Sequence, residues 1–92
     1  MNEILNELYQ VIADRLSNPK EGSYTCYLFD KGLDKILKKI GEEASETIIA
    51  AKNGSEQEIV YEVSDLVYHL MVLLVERGIT LDKIEDELRN RR

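Results

Sequence analysis

The sequence predicts an all-α chain of four helices. Apolar residues recur at helical spacing in four segments, and the breaks between them hold helix-stopping and helix-starting residues. The one stretch with strand character has no second strand to pair with. The first helix spans about Asn2 to Leu16, where Ile4, Leu5, Leu8, Val11, Ile12 and Leu16 repeat. Ser17-Asn18-Pro19 ends it, because a residue before proline is driven from helical geometry. Residues 17–30 read as an ordered loop containing a short turn or helix. Tyr24 to Phe29 has β propensity, which is discounted for want of a partner. The second helix spans about Lys31 to Lys52, with Leu33, Ile36, Leu37, Ile40, Ala44, Thr47, Ile48 and Ala51 as its inner stripe, and Asn53-Gly54 closes it. Ser55-x-x-Glu58 has the form of a capping box and opens a third helix that reaches Arg77, with Gly78 after it. Thr80 is a suitable N-cap for the fourth, Leu81 to Arg91, and Arg89, Arg91 and Arg92 suit the negative end of its dipole.

With 92 residues, the chain is expected to form a single domain over 1–92, with a small core. Twelve basic residues against eighteen acidic ones leave a net charge of −6, which argues against a nucleic-acid partner. It does not exclude a nucleotide substrate, since a bound divalent cation reverses the local field. The single cysteine, Cys26, permits no intramolecular disulfide, has no adjacent His or basic group to activate it, and reads as a small semi-buried residue. Charges are mixed through Met1 to Leu16, unlike a secretory signal. Leu66 to Val75 is interrupted by His69 and is shorter than the roughly 20 residues that span a bilayer. No membrane partner is expected, and a cytoplasmic location is the default.

The chemistry concentrates on the two long helices. At about 100° per residue, Ile59, Val63, Leu66, Val67, Leu70 and Leu74 form the broad apolar face of the third helix, with Glu58, Glu62, Asp65 and His69 in a stripe beside it. On the second helix Lys39, Glu43 and Glu46 also flank the apolar face. If the helices pack antiparallel, Glu43-x-x-Glu46 and Glu62-x-x-Asp65 converge. Each carboxylate pair a few ångströms apart then costs on the order of 1 to 4 kcal/mol. A divalent cation relieves that repulsion while leaving the groups charged, and oxygen-only ligands suit Mg²⁺ or Mn²⁺ rather than zinc. The alternative is a solvated acidic face, on which such pairs are common. Two pairs on successive helices, both at the core edge, are the more specific pattern.

Leu37-Lys38-Lys39-Ile40-Gly41-Glu42-Glu43-Ala44-Ser45-Glu46, then Ile48 to Lys52, then Glu62-x-x-Asp65-Leu66-x-Tyr68-His69, resembles the phosphoribosyl-ATP pyrophosphatase family. Ser23-Tyr24-Thr25, Lys31-Gly32 and Gly78-x-x-Leu81 extend the match from about Leu5 to Arg89, while Cys26-Tyr27 departs from the smaller residues frequent there. The resemblance implies the all-alpha nucleotide pyrophosphatase fold, which includes MazG-like enzymes and is completed by dimerisation or further assembly. It implies Mg²⁺ held by Glu43, Glu46, Glu62 and Asp65. The implied reaction is hydrolysis of phosphoribosyl-ATP to phosphoribosyl-AMP and pyrophosphate, the second step of histidine biosynthesis, by attack of water on the α-phosphorus. The alternative is a housecleaning pyrophosphatase of the MazG type acting on nucleoside or deoxynucleoside triphosphates. Relatives often carry the next enzyme of the pathway, a cyclohydrolase, on the same chain.

Within that expectation Glu42 or Glu46 is the catalytic base, and Glu42 is also an alternative ligand. Lys38 and Lys39 either stabilise phosphate charge or pair with Glu42 and Glu43 one turn on. Ser23, Tyr24 and Thr25 are expected to touch substrate, because their loop has no helical packing role, whereas Tyr68 is expected to pack. His69 is either a hydrogen-bonded structural residue or a support for an acidic ligand. Leu70 to Val75 is apolar around much of the helix, and with four helices in the chain a second subunit is the natural cover. A homodimer or higher homo-oligomer is therefore expected.

Overall fold

The computed structural model describes residues 2–92, with side chains from residue 3 on. Five helices follow one another: α1 (Asn2–Ser17), α2 (Tyr24–Lys31), α3 (Leu33–Asn53), α4 (Glu56–Arg77) and α5 (Leu81–Arg91), with no strand among the described residues. The four expected helices are present. The fifth, α2, is the short helix allowed for within the 17–30 loop, and it runs on to take Lys31 away from the start of α3.

Why α2 forms is visible at its ends. Ser23 adopts an extended backbone and its hydroxyl accepts the Cys26 N–H, which satisfies one of the free donors of the first turn. At the other end Gly32 turns the chain at φ 94°, a left-handed value costly for a residue with a Cβ, and donates its N–H to the Leu28 carbonyl. The corner therefore joins α2 to α3 with one residue. Burial of Leu28 and Thr25 then holds α2 down.

The α3–α4 hairpin is the largest packed unit. Gly54 closes α3 at φ 76°, its N–H reaching the Ala50 and Ala51 carbonyls. Ser55 opens α4 by accepting the Glu58 N–H, half of the expected capping box. Thr80 sits at the N-cap of α5 with extended backbone but its hydroxyl makes no capping bond. The core is Ile12, Leu28, Ile36, Met71, Val72 and Val75, with Leu8, Tyr9, Ile40 and Tyr68 among the residues packed around it.

The faces of α3 and α4 differ from expectation. On α3 the buried residues are Ile36, Glu43 and Ala50, while Leu37 and Ile48, assigned to the inner stripe, are 45% and 65% exposed. On α4 they are His69, Met71, Val72 and Val75, while Val63 and Leu70 are exposed. The cause is that polar groups occupy inward positions, so the buried stripe is rotated from the purely apolar one. The segment Leu70 to Val75 is largely covered within the chain, by α1, α2 and α3, rather than left for a second subunit. The most exposed large apolar residues of α3 and α4 are Ile48, Ile49, Val60 and Tyr61, on either side of the hairpin turn. No helix among the described residues is long and apolar enough to cross a membrane.

Candidate active site

Packing α3 against α4 brings Glu43, Glu62 and Asp65 together, with one carboxylate oxygen from each inside a 4.8 Å group. Glu46 lies close enough for its charge to act on both Glu43 and Glu62. Three of the four carboxylates of the two pairs form this tight group, and Glu46 stands outside it and is exposed. Glu42 is outside it. It is half in solvent and paired to Lys39 at 3.4 Å.

Glu43 is only 4% exposed, and Lys39 pairs with it at 3.6 Å. Ionised carboxylates only accept hydrogen bonds, and Glu43 Oε2 and Glu62 Oε1 are buried with no partner among the described residues. Buried acceptors of this kind are costly unless satisfied. Burial, then a hydrogen bond and repulsion from Glu46, with Asp65 adding to it, push the Glu43 carboxyl above its ordinary range despite Lys39. Burial, then contact with Glu46 and Glu43, lifts Glu62 to about 7. Negatively charged oxygens without donors, gathered from two helices, fit a divalent cation by donor type and by unmet need. The described residues therefore include an acidic site suited to a metal ion.

Above this cradle sits the start of α2. His69 is buried and its Nδ1 lies 2.8 Å from the Asp65 backbone carbonyl. A carbonyl only accepts, so Nδ1 donates to it, and in the neutral imidazole Nε2 is the acceptor. Tyr24 Oη, 2.9 Å from Nε2, must then donate to it. The phenol oxygen is left with acceptor lone pairs. Burial first, then the neighbouring Tyr68, Glu43 and Asp65, raise the Tyr24 pKa, and Lys39 opposes them. Burial alone would lower Lys39, but Tyr24, Glu42 and Glu43 outweigh it and raise it. His69 thus holds Tyr24 through its ring and the Asp65 main chain, and makes no contact with the Asp65 carboxylate.

Ser23 and Thr25 have packing roles that the loop reading missed. Ser23 caps α2, and Thr25 is buried with its hydroxyl bonded to Tyr68. Tyr24 alone of the three is exposed beside the acids. Lys38 lines an open hollow of about 480 Å³ with Gly41, Glu42, Ser45 and Glu46, next to the cradle. It forms no ion pair among the described residues, and the expected partnership with Glu42 belongs to Lys39. Cys26 is half-buried, as expected, and its thiol lies against the Arg15 carbonyl.

A helical chain with an acidic cation cradle between two hairpin helices fits the class of all-alpha nucleotide pyrophosphatases. The chain belongs to the family described as phosphoribosyl-ATP pyrophosphohydrolase, whose model matches residues 5–92. It is 64% identical over 87 residues to a phosphoribosyl-ATP pyrophosphatase of Limosilactobacillus fermentum, covering 95% of this chain and 82% of that one. It is 60% identical over 91 residues to one from Clostridium botulinum, covering 99% and 83%. It is 68% identical over 89 residues to the histidine biosynthesis bifunctional protein HisIE of Caldanaerobacter subterraneus subsp. tengcongensis, covering 97% of this chain. The chain spans 43% of the length of that relative and 39% of a similar bifunctional protein from Thermoanaerobacter pseudethanolicus.

Proposed function

We propose that this chain hydrolyses phosphoribosyl-ATP to phosphoribosyl-AMP and pyrophosphate, a step of histidine biosynthesis, with Mg²⁺ as its cofactor and Mn²⁺ as a substitute. The observation that carries the reading is the cradle itself, with two buried carboxylate oxygens that lack any donor. Family membership supports the choice of substrate. Glu43, Glu62 and Asp65 would hold the ion, with Glu46 beside them. When bound, the ion supplies charge to polarise a phosphoryl group and to offset the triphosphate.

The rest is done by the chain. Glu46 is exposed and stands outside the tight group, so its carboxylate is the one available to take a proton from water. Glu42 is occupied by Lys39. The water oxygen bonds to the α-phosphorus, the bond to the bridging oxygen breaks with its electron pair, and pyrophosphate leaves. Lys38, at the open hollow beside Glu42 and Glu46, is placed to meet phosphate charge. Tyr24 presents an acceptor, so it orients a donor such as a water rather than a phosphate oxygen.

The exposed apolar patch of Ile48, Ile49, Val60 and Tyr61 supports assembly as a homodimer or larger homo-oligomer. The test of function is pyrophosphate release with and without Mg²⁺ from phosphoribosyl-ATP, ATP and the deoxynucleoside triphosphates. Magnesium-dependent release from phosphoribosyl-ATP is expected. Release from the ordinary triphosphates alone would move the chain to a housecleaning role.

A further inference from the structure

Six of the twelve basic residues fall between Arg15 and Lys39, against three acids, in a chain whose net charge is −6. Two of them converge on one ring. Lys31 Nζ lies 5.7 Å and Lys35 Nζ 5.9 Å from the Tyr27 centroid. Neither is in an ion pair among the described residues, although Asp30 and Asp34 are their chain neighbours. Two ammonium groups within 6 Å of one aromatic ring, neither held by a carboxylate, put two positive charges where an anion can meet both. The one-residue corner at Gly32 creates the arrangement, since it turns the end of α2 against the start of α3.

A continuous track joins this pair to the acidic cradle. Tyr27 stacks on Tyr24 with centroids 6.1 Å apart, and Tyr24 bonds His69 beside the cradle. Both rings also line an open hollow of about 650 Å³. Along α3 the distance from Lys35 to Glu43 is eight residues, about 12 Å of helix rise. An acidic, cation-binding end, an aromatic shelf and a basic end therefore follow in order.

We infer that Lys31 and Lys35 form a second anion subsite, beside Tyr27, that takes the phosphate monoester at the far end of the substrate while its triphosphate lies at the cradle. This rests on the reading of the substrate as phosphoribosyl-ATP, which carries phosphate at both ends with a purine between. The purine lies against Tyr24 and Tyr27, whose faces accept a base by stacking. The subsite gives the chain a means to prefer this substrate over ATP, which has no second phosphate group to offer.

The test is calorimetric binding of phosphoribosyl-AMP and of AMP to metal-free protein, for the wild type and Lys31→Ala/Lys35→Ala. Lys52→Ala/Lys83→Ala, with the same net charge and both changes elsewhere, is the control. The wild type and the control should bind phosphoribosyl-AMP about tenfold more tightly than AMP, the scale of two exposed ion pairs, and salt should reduce the difference. The lysine variant should bind the two alike. Inorganic phosphate should weaken phosphoribosyl-AMP binding to the wild type and not to the lysine variant. A preference that survives in the lysine variant, or falls equally in the control, overturns the subsite. Hydrolysis of phosphoribosyl-ATP by the same wild-type preparation separates the two readings. If it is absent the functional reading fails, and if it is present beside an unaltered binding preference only the subsite fails.

Discussion

Glu42 and Glu46 are one helical turn apart, yet their surroundings give them different work. Lys39 pairs with Glu42 in solvent, whereas Glu46 stands beside Glu43 and Glu62, each of which has one buried oxygen without a partner among the described residues. Glu46→Gln should lower kcat for phosphoribosyl-ATP by about a hundredfold or more, the usual loss of a general base. Glu42→Gln should change it by no more than about fivefold, since it breaks only an exposed pair. Equal losses in steady-state kinetics would show that the base assignment is wrong. Glu62 carries a pH signature. Its pKa rises from 4.5 to about 7 on folding without metal, so the folded state binds the extra proton. The contribution of this group to stability is therefore greatest below pH 4.5 and is lost as pH rises towards 7. Melting curves of the metal-free protein should show that slope, and Glu62→Gln should flatten it. Because Mg²⁺ needs the ionised form, its stabilising effect should be greater at pH 8 than at pH 6. An equal Mg²⁺ effect at the two pH values would contradict the cradle.

At the scale of elements, α2 matters out of proportion to its eight residues. It carries Tyr24 to the acids and Tyr27 to the lysines, and Leu28, fully buried, is its anchor in the core. Leu28→Ala should cost about 2 to 5 kcal/mol in denaturant unfolding. A loss below about 1 kcal/mol would mean that α2 is held by its polar contacts instead. The sequence allowed a short turn or helix here but not its bounds, because Tyr24 to Phe29 is rich in aromatic residues and favours strands locally. Its caps, Ser23 and Gly32, were present but belong to no long apolar repeat. The long helices were legible because Gly54, Ser55 and Gly78 mark their ends unambiguously. Their inward faces were not, since Glu43 and His69 are buried and a reading that reserves the interior for apolar residues turns both helices the wrong way. The acidic constellation was legible for a different reason: Glu43, Glu62 and Asp65 meet wherever α3 and α4 pack antiparallel at the expected edge. Lys31 and Lys35 gave no such signal, because only the Gly32 corner makes them neighbours of one ring.

For the molecule as a whole, the exposed apolar surface sets the expectation. Ile48, Ile49, Val60 and Tyr61, on either side of the hairpin turn, are 65%, 59%, 60% and 66% exposed, and they are where the proposed assembly is tested. Sedimentation at micromolar concentration should show a dimer or larger species, and Ile49→Asp/Val60→Asp should reduce it to monomers by burying unpaired charge in the contact. A monomeric wild type would remove assembly from the proposal.

The α3–α4 hairpin also bears on how the chain reaches its native state. Every acid of the cradle lies between Glu43 and Asp65, joined by a turn of a few residues. The entropy of closing so short a loop is small, and low contact order favours rapid folding. The cation site can thus be complete while α1 and α5 are still undocked, and a divalent ion that binds it would stabilise the folding nucleus. Refolding after dilution from denaturant would then accelerate with Mg²⁺, and the metal would act as a folding template before it ever meets a substrate.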